Sequence, residues 1–282
     1  MRIHMDNEAV LLALSQFLND HPRAITPEAL ADMTAVGLSE EQGYLHLLAA
    51  WLELEPALWR QYLPRMLRCL SSEPYAQDPC MIALRGAVAD QQGITLQEDA
   101  YAPCELFVAD DFVTDGDGRI YPQLGWFREE FRFPALMENG RIWMTVTPNE
   151  INTIRPVAES VHGKVLAYGL GLGYFAFHAL LNPRVTSVTV VERNPAVIQV
   201  FRDSLLPRFP RPEKLRIIQA DAFEYARDAA PGEHYDCIFT DLWHDAGDGL
   251  PLYRRMKALE HPGPRYDYWI EKTLLAYLPD EP

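Results

Sequence analysis

One stretch, Lys164 to Glu192 (KVLAYGLGLGYFAFHALLNPRVTSVTVVE), constrains what this chain can fold into more than any other. It opens with an apolar run, Val165, Leu166, Ala167 and Tyr168, of the kind that forms a strand buried on both faces. Three alternating glycines follow, Gly169, Gly171 and Gly173. The segment from Phe175 to Leu181 then has helical spacing and is ended by Asn182-Pro183. Glycine is needed at such a turn because a side chain would collide with whatever lies across it, and the loop is expected to present free backbone N–H groups at a helix N-terminus. A second apolar strand, Val188 to Val191, ends in Glu192, an acid about 20 residues past the glycines that suits two ribose hydroxyls. The expected ligand is a nucleoside or nucleotide.

The glycines alone do not identify it. Read from Gly171, the run G-L-G-Y-F-A fits the dinucleotide pattern G-x-G-x-x-G/A, so a nicotinamide or flavin ligand stays open.

The 282 residues are 48% hydrophobic and 23% charged, which predicts a globular chain of one or two domains. No apolar run approaches the roughly 18 residues of a membrane span, and the first residues lack a signal-peptide pattern, so the expected location is cytoplasmic. Cys69, Cys80, Cys104 and Cys237 show no C-x-x-C spacing; neither a metal site nor a disulfide is expected. A formal charge of −15 opposes nucleic-acid binding, since no basic stripe offsets it.

Residues 1–100 read as amphipathic helices. The first is Ala9 to Leu18, with a stripe of Leu11, Leu12, Leu14, Phe17 and Leu18. Thr26-Pro27 and Ser39-x-x-Gln42 mark two further starts, and Pro56 and Pro79 open two more, the last reaching about Ala89. Residues 101–147 are rich in β-branched and aromatic runs separated by Asp115-Gly116-Asp117-Gly118 and Glu138-Asn139-Gly140, which predicts a small antiparallel β-hairpin region. From 148 onward a helix leads into the glycine stretch, and strands and helices alternate. The third strand is Leu215 to Gln219 and the fourth Tyr235 to Thr240, so residues 148–282 are expected to form a Rossmann-like, doubly wound parallel α/β sheet.

In such a sheet ligands bind outside the carboxyl ends of the strands. Four consecutive strand ends carry the glycine loop, Glu192, then Asp221-Ala222-Phe223, and finally Asp241. Glycines alone make turns and lone acids cap helices, but the four together predict a nucleoside site.

The segments VLAYGLGLG (165–173), VTVVERNPAVI (188–198), RIIQADAFEY (216–225) and YDCIFTDLWHD (235–245) together resemble the core of the class I S-adenosylmethionine-dependent methyltransferases, and within it the branch that includes spermidine synthase. The resemblance implies S-adenosylmethionine as cofactor, with Tyr168, Gly169, Leu170, Gly171 and Gly173 near its amino-acid part. It likewise implies Glu192 with Arg193 at the ribose, Asp221, Ala222 and Phe223 at the adenine, and Asp241 beside the reacting centre. An Asp-Ala pair after the third strand does not suit a nicotinamide enzyme.

The chain departs from that pattern at three places. Ala167 stands where an acid often precedes the first glycine. The D-x-x-D that holds a diamine in aminopropyltransferases reads Asp241-Leu242-Trp243-His244, which counts against aminopropyl transfer. No convincing strand follows Asp245, so the sheet is expected to stop at the fourth strand, its edge covered by the hairpins or by a second subunit in a homodimer. The expected function is methyl transfer to a small-molecule acceptor, with His244 ahead of Asp241 as general base and Trp243, Tyr174 and Tyr168 as apolar walls. Aminopropyl transfer, or a non-catalytic cofactor-binding protein, are the alternatives.

Overall fold

The computed structural model describes residues 5–276. The chain forms two compact units, residues 5–76 with 100–132, and residues 77–99 with 133–276. The division differs from expected boundaries at 100 and 147. Residues 77–99 and 133–147 pack with the parallel sheet, because their strands belong to one four-stranded sheet in the order Ala89–Gln91, Ile94–Tyr101, Phe131–Glu138, Arg141–Thr145.

The first unit packs helices Met5–Asp20, Pro27–Ala35, Glu40–Trp51 and Pro56–Met66 with a three-stranded sheet ordered Leu67–Cys69, Ile120–Trp126, Phe107–Thr114. Ser39 closes a capping box with Gln42, as its spacing predicts. The stripe of the first helix is Val10, Leu14 and Phe17, all buried, whereas Leu12 is 60% exposed. Its register follows Asn7, which is fully buried and exchanges hydrogen bonds with the Ile120 backbone, Nδ2 to O at 2.9 Å and N to Oδ1 at 2.8 Å. Tyr44 stacks on Trp126 at 4.7 Å and donates its hydroxyl to Cys104 O.

In the second unit, helix α1 (Pro148–Ser160) leads into a parallel sheet of β1 (Gly163–Tyr168), β2 (Val185–Glu192), β3 (Leu215–Gln219), β4 (Cys237–Thr240) and β5 (Arg265–Tyr268). Their order is β3-β2-β1-β4-β5, every pair parallel, with α2 (Tyr174–Leu181), α3 (Pro195–Val200), α4 (Ala222–Asp228) and α5 (Ala246–Lys257) in the connections. The chain reverses direction across the sheet at β1 and β4, the switch point where open α/β sheets bind ligands.

Two expectations fail here. The sheet does not stop at β4, because Cys237 to Thr240 pair with Arg265 to Tyr268. The fifth strand therefore covers the edge for which hairpins or a homodimer were expected. It escapes a hydropathy reading because it is short and polar, with Arg265 paired to Asp267 at 2.8 Å, which suits an edge strand. The helix from Pro79 ends at Leu84, and Ala89–Gln91 and Ile94–Tyr101 form a hairpin. Its turn holds Gln92 and Gly93 at φ 52° and 83°, the signs of a type I′ turn, without the usual asparagine.

A buried polar cluster ties α2 to its neighbours. Asp78, 1% exposed, caps helix Pro79–Leu84 through the Cys80 and Met81 N–H groups. It also accepts from the Tyr174 hydroxyl at 2.9 Å and from Arg155 of α1, and meets His178 Nε2 at 3.2 Å. With these partners the Asp78 carboxyl stays below the usual carboxylate range although burial pushes it upward.

Candidate functional site

The glycine loop is shaped by the protein around it. Gly169, Gly171 and Gly173 have φ of 96°, 47° and 77°, the region that favours glycine. A Cβ at Gly169 would lie 2.0 Å from Asp241 O, one at Gly171 1.8 Å from Met144 Sδ, and one at Gly173 2.6 Å from Phe201. The loop N–H groups are also largely engaged within the chain, which corrects the expectation of free donors. Gly169 N donates to Val191 O, Leu170 N to Glu192 Oε2, Leu172 N to Met144 Sδ and Gly173 N to Leu170 O.

Glu192 ends β2 beside this loop. Its Oε2 accepts from Leu170 N at 3.1 Å and its Oε1 from Asn194 N at 2.8 Å, so two backbone donors fix the carboxylate plane. Each oxygen keeps a lone pair for a further donor, which is what a cis-diol requires. At the end of β3, Asp221 caps α4 with Oδ1, accepting from Phe223 N and Glu224 N. Phe223 carries the Arg255 guanidinium 3.7 Å from its ring centroid.

These groups line one cleft of about 390 Å³ above the sheet's switch point. Gly169, Leu170, Gly171, Glu192, Arg193, Asp221, Ala222, Phe223, Asp241 and His244, all read from the sequence, lie along it. Tyr168 does not. Its side chain is buried against Tyr225, with ring centroids 6.5 Å apart, because alternation along β1 turns it into the core. Gly173 also lies off the main cleft, holding the start of α2 against Phe201 and Phe209. Tyr174 is committed to Asp78 and is no wall of the main cleft, whereas Trp243 is one.

Sequence reasoning missed Glu150 and Trp269, which line the same cleft as Trp143 and Met144, two residues whose apolar character suits either a ligand cover or packing. Glu150, at the start of α1, accepts from Thr147 N at 2.9 Å, from the Thr147 hydroxyl and from Thr145 Oγ1 at 3.3 Å. Thr147-x-x-Glu150 is a capping box, so its spacing marks a helix start and hides a site residue. Burial raises its carboxyl above the usual range despite these donors.

Asp241 follows β4 at the floor of the cleft, and no donor among the described residues reaches its carboxylate. Burial, with the Glu150 charge added, pushes its carboxyl up to about 8. His244 is exposed at the rim, its ring edge-on to Trp143 at 4.3 Å. The acids that follow it are turned to the backbone: Asp248 accepts from His244 N and Asp245 N, and Asp245 from Gly247 N and Asp248 N.

The lining thus holds five carboxylates, Glu150, Glu192, Asp221, Asp241 and Asp248, against one arginine, Arg193, and His244. A group carrying positive charge fits that field; a diphosphate is repelled by it. Among the described residues no cluster of histidine, cysteine or carboxylate could hold a metal, and all four cysteines are free thiols. No described helix is long and apolar enough to cross a membrane.

No protein-family model matches the chain, and no curated protein matches it. Solved structures match part of it. A precorrin 8w decarboxylase from Methanobacterium thermoautotrophicum is 20% identical over 41% of this chain and 58% of its own, with a TM-score of 0.30. A precorrin-6y C5,15-methyltransferase from Geobacter metallireducens is 17% identical over 40% of this chain and 60% of its own, at 0.29. Human methyltransferase-like protein 13, in complex with SAH, is 20% identical over 40% of this chain and 56% of its own, at 0.29. The chain thus spans less than two thirds of each of these structures. The fold assignment stands on the strand order itself.

Proposed function

We propose that the chain is a class I S-adenosylmethionine-dependent methyltransferase acting on a small-molecule acceptor. The observation that carries this reading is Glu192, whose carboxylate ends the second strand, faces the cleft, and is aligned by Leu170 N and Asn194 N. In this reading Glu192 accepts from the two ribose hydroxyls, Ala222 and Phe223 flank the adenine, and Asp221 accepts from it with the oxygen its helix cap leaves free. Bound S-adenosylmethionine supplies a methyl group on a positively charged sulfonium. The acid-rich lining favours that charge, and the engaged loop donors leave little to hold a dinucleotide's diphosphate. The same field argues for this cofactor over NAD.

The chain's own part is to position the acceptor, exclude water and take a proton. Asp241, at the floor and raised to about 8, is the general base in this reading. His244 at the rim orients Trp143 over the opening. Aminopropyl transfer finds less support, because His244 stands at the second acidic position and Asp245 and Asp248 are spent on capping α5.

Photolabelling with methyl-tritiated S-adenosylmethionine tests the assignment. Label on peptides containing 165–173 or 221–225, displaced by S-adenosylhomocysteine and not by NAD, is the expected result. Label that NAD displaces equally would sink it.

A further inference from the structure

The part of the cleft lined by tryptophans has a construction of its own. Trp269 donates Nε1 to Thr153 Oγ1 at 2.9 Å and its backbone N to Thr240 O at 2.9 Å. Thr153 lies one turn from Glu150 on α1, and Thr240 immediately precedes Asp241, so Trp269 bridges the two acids' elements. Trp243 follows Asp241 by two residues; it is 5% exposed and lines the cleft, and its buried indole N–H has no partner among the described residues. Trp143 and Thr145 both line the cleft from one strand, and Thr145 donates to Glu150. Three of the chain's six tryptophans therefore line the same cleft as two acids that no arginine or lysine pairs with among the described residues.

We propose that the acceptor is an aromatic monoamine, its protonated head seated by Glu150 and Asp241 and its ring packed among Trp143, Trp243 and Trp269. The proposal rests on the methyltransferase reading for the reaction, though not for the binding. Flat indole walls favour a ring, and their faces add to the attraction for a cation. One cation is indicated because, among the described residues, Asp241 is the one acid at the floor whose carboxylate no donor reaches: Glu150 is held by Thr147 and Thr145, and Asp245 and Asp248 at the rim cap α5. In the transfer, the seated cation favours the ionised form of Asp241, and the ammonium first loses a proton to that carboxylate. The nitrogen's lone pair then forms the N–C bond as the cofactor's C–S bond breaks, and that electron pair stays on sulfur. The product nitrogen carries the positive charge that the sulfonium lost.

The test titrates the full chain with 2-phenylethylamine, its uncharged counterpart 2-phenylethanol, and 1,4-diaminobutane, each with and without saturating S-adenosylhomocysteine. Wild type is compared with Glu150→Gln, which keeps the capping box because that position accepts either residue. Asp241→Asn serves as a second variant, and thermal melts check the fold of both. The amine is expected to bind at least about ten-fold more tightly than the alcohol, and each variant to lose about ten-fold for the amine while keeping its affinity for S-adenosylhomocysteine. Equal binding of the alcohol, tighter binding of 1,4-diaminobutane, no amine binding, or amine affinity unchanged in both variants would each overturn the proposal. So would a Glu150→Gln variant that loses S-adenosylhomocysteine instead, since the pair would then serve the cofactor's own ammonium. If S-adenosylhomocysteine fails to bind while the amine still depends on Glu150, the methyltransferase reading falls and the amine seat stands.

Discussion

The backbone N–H of Leu170 donates to Glu192 Oε2 at 3.1 Å, joining the end of the first parallel strand to the end of the second. The glycine loop and the acid are thereby one unit, and the acid arrives at the cleft already oriented. Replacing Glu192 with Gln removes the charge from any hydrogen bonds to a ribose. Loss of such a bond costs roughly 1.5–3 kcal/mol, so S-adenosylhomocysteine affinity is expected to fall about 10- to 100-fold in titration calorimetry.

The glycines differ in what they can tolerate. At Gly169 an added Cβ meets backbone, Asp241 O, whereas at Gly171 it meets the end of the flexible Met144 side chain. Gly169→Ala is therefore expected to lower the melting temperature more than Gly171→Ala. Met144→Ala should recover part of the Gly171→Ala loss; thermal melts of the four proteins check both statements.

Asp241 makes stability depend on pH. Its folded carboxyl is raised from 3.8 to about 8, so between these values the folded state holds a proton that the unfolded state has released. Stability accordingly falls as pH rises from about 4 through 8. Asp241→Asn removes this dependence. Each raised unit carries about 1.4 kcal/mol, and each kcal/mol moves the midpoint of such a domain by roughly 2–4 °C. The variant is expected to melt at least about 5 °C above wild type at pH 9, with the difference vanishing near pH 4.

Asp78 sits among Tyr174, His178 and Arg155 with its side chain fully buried. Tyr174→Phe leaves that carboxylate one donor short, and a loss of about 1–3 kcal/mol is expected in urea unfolding. Because α2 directly follows the glycine loop, the variant should also weaken S-adenosylhomocysteine binding.

The sequence pattern exposes some of this molecule and conceals the rest for definite reasons. Strands β1, β2 and β4 are legible because burial on both faces leaves apolar runs such as Val165 to Tyr168, and β3, at the other edge, by Ile217-Ile218 in its alternating fragment. The acids at their ends are legible because the fold fixes where strand ends point. Strand β5 is concealed because an edge strand needs no apolar run, and Arg265 and Asp267 satisfy each other. The Asn139-Gly140 turn reads as a hairpin, whereas the Gln92-Gly93 turn has the same signs of φ without the signalling residue. Glu150 is concealed by its second role in a capping box, and Trp269 by the tertiary bond that carries it to Thr153. The free loop donors expected from the glycine pattern are instead spent on Glu192 and Met144, which only the folded chain could reveal.

The most direct test of the nucleoside assignment is calorimetric titration of the full chain, in parallel, with S-adenosylmethionine, S-adenosylhomocysteine and NAD. The acid-lined cleft predicts micromolar binding of the first two and none of NAD. Binding of NAD in preference to either, or of none of the three, would contradict the account.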